Sequence, residues 1–324
     1  MATLREVKNR IRSVRNITQI TRALEAVSAS RVRRAQARVL ASRAYAEKAW
    51  EILINIQAAS KNLPLHPLLA EREEINKVMV VVITSDRGLA GAYNTNVLRV
   101  AQRFATRLGK PVEYVAVGRK ARDSLVRSGA NIVASFTDLS AAPKIADITP
   151  IARIAMDAYL QGEVDEVLIA YTDFIHILAQ RPSVLGWLPL TTHTIARQVA
   201  AEYVKDVAVV SGGTQNYDYE PDAAAVVAEI VPRFTELQLY QALLEAQASE
   251  HAARMAAMKN ATDNATQVTA DLILLYNKAR QAEITAEILD IVGGANALQQ
   301  SIDSASQEIL DSHDKNRQRL DART

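Results

Sequence analysis

The strongest candidate for chemistry in this 324-residue sequence is a glycine-bearing turn, Ser85-Asp86-Arg87-Gly88-Leu89-Ala90-Gly91, which directly follows the apolar run KVMVVVIT at 77–84. A β-branched run that ends in glycines ahead of a helix is where many α/β domains cradle phosphates on backbone N–H groups. The spacing is wrong for the known cradles. Gly88 and Gly91 form G-x-x-G, neither G-x-G-x-x-G nor G-x-x-x-x-G-K-[ST], and no Lys follows to reach a phosphate. A tight strand-to-helix turn, eased by glycine's permissive backbone, accounts for these residues better than an anion site. The five histidines, His66, His176, His193, His251 and His313, show no H-x-x-x-H spacing, so no metal site is expected. There is no G-x-S-x-G elbow, and the absence of cysteine removes disulfides, thiolate nucleophiles and thiol redox control. Catalytic, cofactor-binding and metal-binding residues are accordingly all expected to be none.

The elements around this turn are set by where helix breakers fall. Every proline, and nine of the eleven glycines, lies between Pro64 and Pro232. Residues 1–63 and 233–292 hold neither type and are rich in Ala, Arg, Gln, Glu and Leu, which predicts two very long helices. At about 1.5 Å per residue, 60 helical residues span roughly 90 Å, more than a globular body of this size can contain. Each helix therefore needs a partner for its apolar stripe, and the other terminal helix is the natural one. In the first, Leu4, Val7, Ile11, Val14, Ile17, Ile20, Leu24 and Val27 recur at steps of three and four and predict the seam. In the last, Leu237, Leu244, Met258, Ala265, Leu272, Ala279 and Ala286 fall at multiples of seven, with Met255, Val268, Leu275, Ala282 and Leu289 as the second position. The alanines predict a slim, closely packed antiparallel pair.

Residues 64–220 alternate strand and helix patterns. Strands are expected at 77–84, 112–117, 132–136, 166–171 and 175–178, the last two joined by a turn at Thr172-Asp173, and helices at 95–108, 119–127 and 151–161. Residues 182–221 are not readable, beyond a loop at Ser211-Gly212-Gly213. The expected architecture is a long antiparallel coiled coil of N- and C-terminal helices plus a small Rossmann-like α/β domain, divided as 1–63, 64–220, 221–298 and a polar, helical extension at 299–324. No apolar run approaches the ~18 residues of a membrane span, and no signal or transit peptide is expected. Residues 1–60 carry twelve Lys or Arg against four Glu, a net of +8 in a chain of net +2, which reads either as a solvated basic face or as one that meets an acidic partner. Its aromatics, Tyr45 and Trp50, sit too late to interleave with the arginines, which argues against nucleic acid.

Five segments make this specific: NRIRSVRNITQITRALEAVSASRVRRAQ, SDRGLAGAYNTN, YEPD at 219–222, SEHAARMAAMKNATDNA from Ser249, and YNKARQAEITAEILDIVGGANAL from Tyr276. In order and spacing they resemble the gamma subunits of F-type ATP synthases, from about Leu4 to Leu298. The resemblance implies a non-catalytic central shaft of a proton-translocating complex: its coiled coil sits inside the alpha and beta catalytic hexamer and its α/β domain lies beside the epsilon subunit and the membrane rotor ring of c subunits. It implies hexamer contacts at Arg22, Leu24, Arg254, Gln281, Thr285 and Glu287, and rotor-ring contacts at Tyr217, Tyr219 and Glu220. It also implies a peripheral position on the cytoplasmic side of a bacterial inner membrane. The competing reading is a nucleotide-binding α/β enzyme with a coiled-coil recognition arm.

Overall fold

The computed structural model describes residues 3–59, 66–190 and 223–321. Helix α1 runs Leu4–Ala59. It opens on a reciprocal cap: Glu6 N–H donates to Thr3 Oγ1, and Thr3 N–H donates to the Glu6 carboxylate. After a 3-10 turn at Pro67–Leu69 come β1 (Val78–Ile83), α2 (Tyr93–Leu108), β2 (Val112–Val117), α3 (Arg119–Arg127), β3 (Asn131–Phe136), α4 (Ile145–Leu160), β4 (Glu166–His176) and β5 (Ala179–Leu188). The last described element is α5, Ala223–Asp321, a helix of 99 residues. The strands form one sheet in the order β3-β2-β1-β4-β5, parallel except for β5.

The α/β reading holds because β1 is apolar on both faces. Met79, Val81 and Ile83 point into one core with α4, Trp187 and the α5 residues Val231, Phe234 and Leu243. Val78, Val80 and Val82 point into a second core under α2 and α3, with Val97, Leu98, Ala121 and Leu125. An unbroken β-branched run is what a strand covered on both sides requires.

Three boundaries differ from expectation. The hairpin turns at Ile177-Leu178, not at Thr172-Asp173, and the fifth strand lies at 179–188 rather than 175–178. Asp173 is a turn former by type, but a 3.1 Å ion pair with Arg181 across the strands keeps it in the ladder. Helix α4 begins six residues ahead of Ile151 and contains Pro150, its first turn closed by Lys144 N–H donating to Asp147. Likewise α5 begins at Ala223 and carries Pro232 inside it. The missing N–H costs one helical bond there, and burial of Val231, Phe234 and Leu237 against the sheet offsets it.

The chain divides into two compact units, Thr21–Ala261 and Met1–Ile20 with Thr262–Thr324. In the second, Leu4, Val7, Ile11, Val14 and Thr18 are the covered positions of α1, and Thr262, Ala265, Thr269, Leu272, Tyr276 and Ala279 those of α5. Both sets step by three and four, a strict 3.5-residue seam. The expected seam slips after Val14: Ile17 and Ile20 are 51% and 59% exposed, and Thr18 takes the covered place. In the first unit Thr21, Ser28, Val32, Ala35 and Val39 are buried while Val27 is exposed. On α5, the expected second row at Val268, Leu275 and Leu289 is exposed as well. Hydroxyls can occupy a seam because they bond back to their own helix: Thr18 to the Val14 carbonyl at 3.0 Å, Ser28 to that of Leu24 at 2.7 Å, and Thr269 to that of Ala265 at 2.8 Å. The polar extension is helical as expected, to Asp321.

Gly118 sets the tightest contact of the sheet. At φ 96°, a Cβ added there would lie 2.3 Å from the Thr84 carbonyl oxygen. Gly118→Ala should cost about 2–4 kcal/mol, whereas Gly88→Ala changes stability by less than about 1 kcal/mol, since its Cβ would meet nothing within 4 Å. Equal urea midpoints for the two variants would refute this.

Candidate functional site

The candidate site in the unit Thr21–Ala261 is the junction at which α5 is fastened to the sheet domain. Beside the large core residues Leu239, Leu243 and Leu244, its packed surface carries small ones: Ala242, Ala246, Ala248, Ser249 and Ala252 are buried, which lets the α5 backbone come close to its neighbours. Val32 and Ala35 of α1 meet Ala248 and Ala252 of α5 and Phe174 of β4 in one cluster. Small side chains leave backbone carbonyls within reach, and long polar side chains use them.

The fastening is a series of side-chain to backbone hydrogen bonds. Trp187 Nε1 of β5 donates to the Thr235 carbonyl at 3.2 Å, and the Tyr93 hydroxyl of α2 donates to that of Ala246 at 3.0 Å. In the other direction, Tyr240 donates to Pro143 at 3.1 Å, Gln247 to Ser140 at 3.1 Å, and Ser249 to Thr172 at 3.1 Å. Arg38 of α1 adds a bond of 2.8 Å to the Ala141 carbonyl. These points run from Thr235 to Ser249 of α5, roughly 21 Å of helix axis, and reach β5, β4, α2 and the loop after β3.

At the end of this series sits a charged clasp. Arg254 pairs with Glu250 at 2.7 Å, donates to the Gly88 carbonyl at 3.2 Å, and points Nη1 at His251 Nδ1, 3.3 Å away. Its side chain is only 11% exposed. A guanidinium has no acceptor, so Nδ1 of His251 must be unprotonated in this contact. Burial, with Arg254, Arg31 and Arg34 adding to it, lowers the His251 pKa to about 4. Burial also raises that of Glu250, against the opposing pull of Arg254.

The clasp grips the turn that resembles a phosphate cradle. A cavity of about 300 Å³ opens beside it, lined by Arg31, Ser85, Asp86, Arg87, Glu250 and His251 among others. The backbone donors around the start of α3 are already engaged. The Asp86 carboxylate accepts Arg119 N–H at the start of α3 at 2.9 Å and Asp138 N–H at 3.0 Å, while Ser85 N–H donates to Asn94. Thr84 Oγ1 accepts Ala121 N–H at 2.8 Å. The positive end of α3 is therefore occupied by the chain's own carboxylate, and a phosphate placed there would face Asp86, Asp138 and Glu250. The start of α3 is thereby closed to the phosphate that the nucleotide-binding reading would place there.

The residues expected to contact partners are distributed differently. Arg254 is engaged within the chain, in the clasp. Arg22 is exposed and Leu24 half-buried. Gln281, Thr285 and Glu287 are exposed on α5, with Thr285 donating back to the Gln281 carbonyl at 2.9 Å. Tyr217, Tyr219 and Glu220 lie outside the described residues. Sequence reasoning missed Tyr93, Trp187, Gln247, Ser249 and Glu250. The available signal was the recurrence of small residues, Ala242, Ala246, Ala248, Ser249 and Ala252, in a stretch that also carries Gln247 and Glu250.

A family model described as ATP synthase matches residues 3–298. The ATP synthase gamma chain of Roseiflexus sp. (strain RS-1) is 43% identical over 302 residues, covering 92% of this chain and 99% of that protein. That of Dehalococcoides mccartyi (strain CBDB1) is 44% identical over 299 residues, covering 92% and 100%. Among solved structures, a chain of the Tetrahymena thermophila mitochondrial ATP synthase central stalk and c-ring is similar in fold, with a TM-score of 0.55, 23% identity, and coverage of 75% of this chain and 99% of that one. A chain of the Euglena gracilis mitochondrial ATP synthase gives a TM-score of 0.61 at 20% identity, covering 91% and 94%.

The His251 contact predicts an acid-labile junction. Because its folded pKa is depressed from 6.5 to about 4, the unfolded chain binds the extra proton first, so stability is full above about 6.5 and falls as pH drops toward 4. Glu250, shifted upward, opposes this at the acid end. His251→Gln should lose less stability than the parent between pH 7 and 5, by on the order of 1 kcal/mol. Parallel urea-midpoint curves for the two proteins would contradict the assignment.

Proposed function

This chain belongs to the ATP synthase gamma-chain family, and from that premise we propose how its parts divide the work of a rotary shaft. It is a central-stalk rotor subunit, non-catalytic, and a component of the ATP synthase complex. Among the described residues no helix is long and apolar enough to cross a membrane. In our reading it transmits rotation between a membrane rotor ring of c subunits and a catalytic hexamer of alpha and beta subunits. It sits beside epsilon, peripheral to the cytoplasmic face of a bacterial inner membrane, with proton flow as the drive.

The observation that carries this reading is the junction: α5 is bonded to four separate parts of the sheet domain, while elsewhere along it, and along α1, large apolar side chains stand exposed. A torque-bearing part needs both, a rigid attachment at one place and an unfilled surface at another. Ile17 and Ile20 on α1, and Leu274, Ile284, Ile288 and Leu298 on α5, form that second surface. We assign it to the hexamer, together with Arg22, Leu24, Gln281, Thr285 and Glu287. Arg254 we assign instead to holding the junction, with a contact to the hexamer only as a secondary role. Tyr217, Tyr219 and Glu220 are assigned to the rotor ring on the strength of the family pattern alone.

The mechanism follows from symmetry. A single asymmetric shaft cannot present the same face to three equivalent sites, so each site meets a different set of shaft side chains and settles in a different conformation. Turning the shaft exchanges those sets, and each site passes through binding, conversion and release in turn.

Coexpression with alpha and beta subunits tests the reading. The chain should co-purify with them, and the complex should hydrolyse ATP in a manner that depends on this chain. Ile17→Asp combined with Ile20→Asp should leave the isolated chain folded by circular dichroism, since both positions are exposed, yet reduce co-purification by about tenfold or more. Undiminished assembly of the double variant would remove these residues from the interface.

A further inference from the structure

We propose that residues 299–309, which extend past the family match, are a working part of the shaft surface: they lie against the inner wall of the same catalytic ring that encloses the preceding turns of α5. This rests on the function proposed above and lengthens the contact it assigns.

The argument begins with a change of face. Up to Ala279 the covered positions of α5 step through Thr262, Ala265, Thr269, Leu272 and Tyr276, the register facing α1. Carried onward, that register meets Glu283, Ala286, Asp290 and Gly293, which are charged or small. The apolar side chains move elsewhere. Ile284, Ile288, Ile291, Ala295, Leu298, Ile302, Ala305 and Ile309 recur at alternating steps of four and three. Ile284 lies five residues after Ala279, about 140° further round the helix. Whatever covers this stripe approaches from another side than α1.

Nothing in the chain covers it among the described residues. From Arg280 to Glu308 every residue of α5 is exposed, including Ile288, Ile291, Leu298 and Ile302. A water-bathed helix with a row of isoleucines is not a stable end state. Between 282 and 298 the stripe is joined by Leu289 and Val292 on a second side and by Ala286, Gly293 and Ala297 on a third, leaving Glu283, Glu287 and Asp290 as a narrow acidic edge. A helix apolar or small on most of its circumference is one that is surrounded. An enclosing ring fits that description, and a single partner helix does not.

The extension keeps the phase. The family match ends at residue 298, and the Roseiflexus and Dehalococcoides relatives are used up over 99% and 100% of their length while covering 92% of this chain. Yet α5 continues as one helix, and Ile302, Ala305 and Ile309 fall in register with Leu298. A passive tail has no reason to hold a 3.5-residue repeat. After Ile309 the same register meets Ser312, Asn316 and Arg319, so the apolar repeat ends there. Outside the stripe, 299–308 is Gln, Ser, Asp and Glu, which confines the contact to one side of the helix.

The absence of cysteine in this chain gives a direct test. Ile302→Cys, and the gentler Ala305→Cys, each place a single thiol in the stripe; Ser304→Cys places one on the opposite side, and Asn316→Cys one in phase but beyond Ile309. Maleimide alkylation of this chain is followed by its mass, alone and in the complex assembled with alpha and beta. Assembly should slow alkylation at 302 and 305 by about tenfold or more and at 304 and 316 by less than about twofold. Equal rates at 302 and 305 in the isolated and assembled chain would overturn the inference while leaving the shaft reading intact. Slow alkylation in the isolated chain would mean that a second copy covers the stripe, which also overturns it. Failure to assemble would defeat both.

Discussion

Helix α5 can bury only one side against any one neighbour, and its sequence changes which side that is as the helix proceeds. At 227–252 the covered side is Val, Leu and Ala packed on the sheet domain. At 262–279 it is a 3.5-residue row of Thr, Ala and Leu. Beyond 280 the apolar residues occupy yet another side, with no cover among the described residues. Each change is possible because a helix has a fixed pitch and no breaker is required to rotate the pattern; a shift of one residue moves the stripe by about 100°. The continuity of the helix is what links a rigid attachment to an exposed working surface.

The attachment itself relies on backbone acceptors. Carbonyls are held by the helix or strand that owns them, so a hydrogen bond from Tyr93, Trp187 or Ser249 joins two frameworks and not merely two side chains. Each such bond contributes about 1 kcal/mol net in equilibrium terms. Their distribution matters more than their sum. The bonds tie α5 to β4, β5, α2 and the β3–α4 loop together.

The glycine turn after β1 illustrates how a fold can retain the shape of a ligand site and use it otherwise. The strand, the turn and the helix ends converge as they do around nucleotides in other α/β domains. Here Asp86 supplies the negative charge that α3 favours at its N-terminus, and Asn94 and Thr84 satisfy neighbouring amides. Filled in this way, the turn becomes a rigid shelf, and Arg254 grips its Gly88 carbonyl.

Much of the architecture was legible in the residues. The distribution of Gly and Pro predicted two long terminal helices, the β-branched runs predicted a sheet buried on both faces, and G-x-x-G spacing spoke against a phosphate cradle. Local preference misled where a tertiary partner outweighed it: Asp173 is held in β4 by Arg181, and Pro150 and Pro232 are carried inside helices by packing on the sheet. Apolar spacing misplaces the seam past Val14, because the largest apolar residues there are not the covered ones. A strict 3.5-residue register places Thr18, Thr21 and Ser28 inside and leaves Ile17, Ile20 and Val27 outside. Composition and periodicity determined that this chain would form long helices around a small α/β domain. Which side of each helix is spent within the chain, and which is left for a partner, was decided only in three dimensions, because burial depends on the geometry of approach and not on how apolar a residue is.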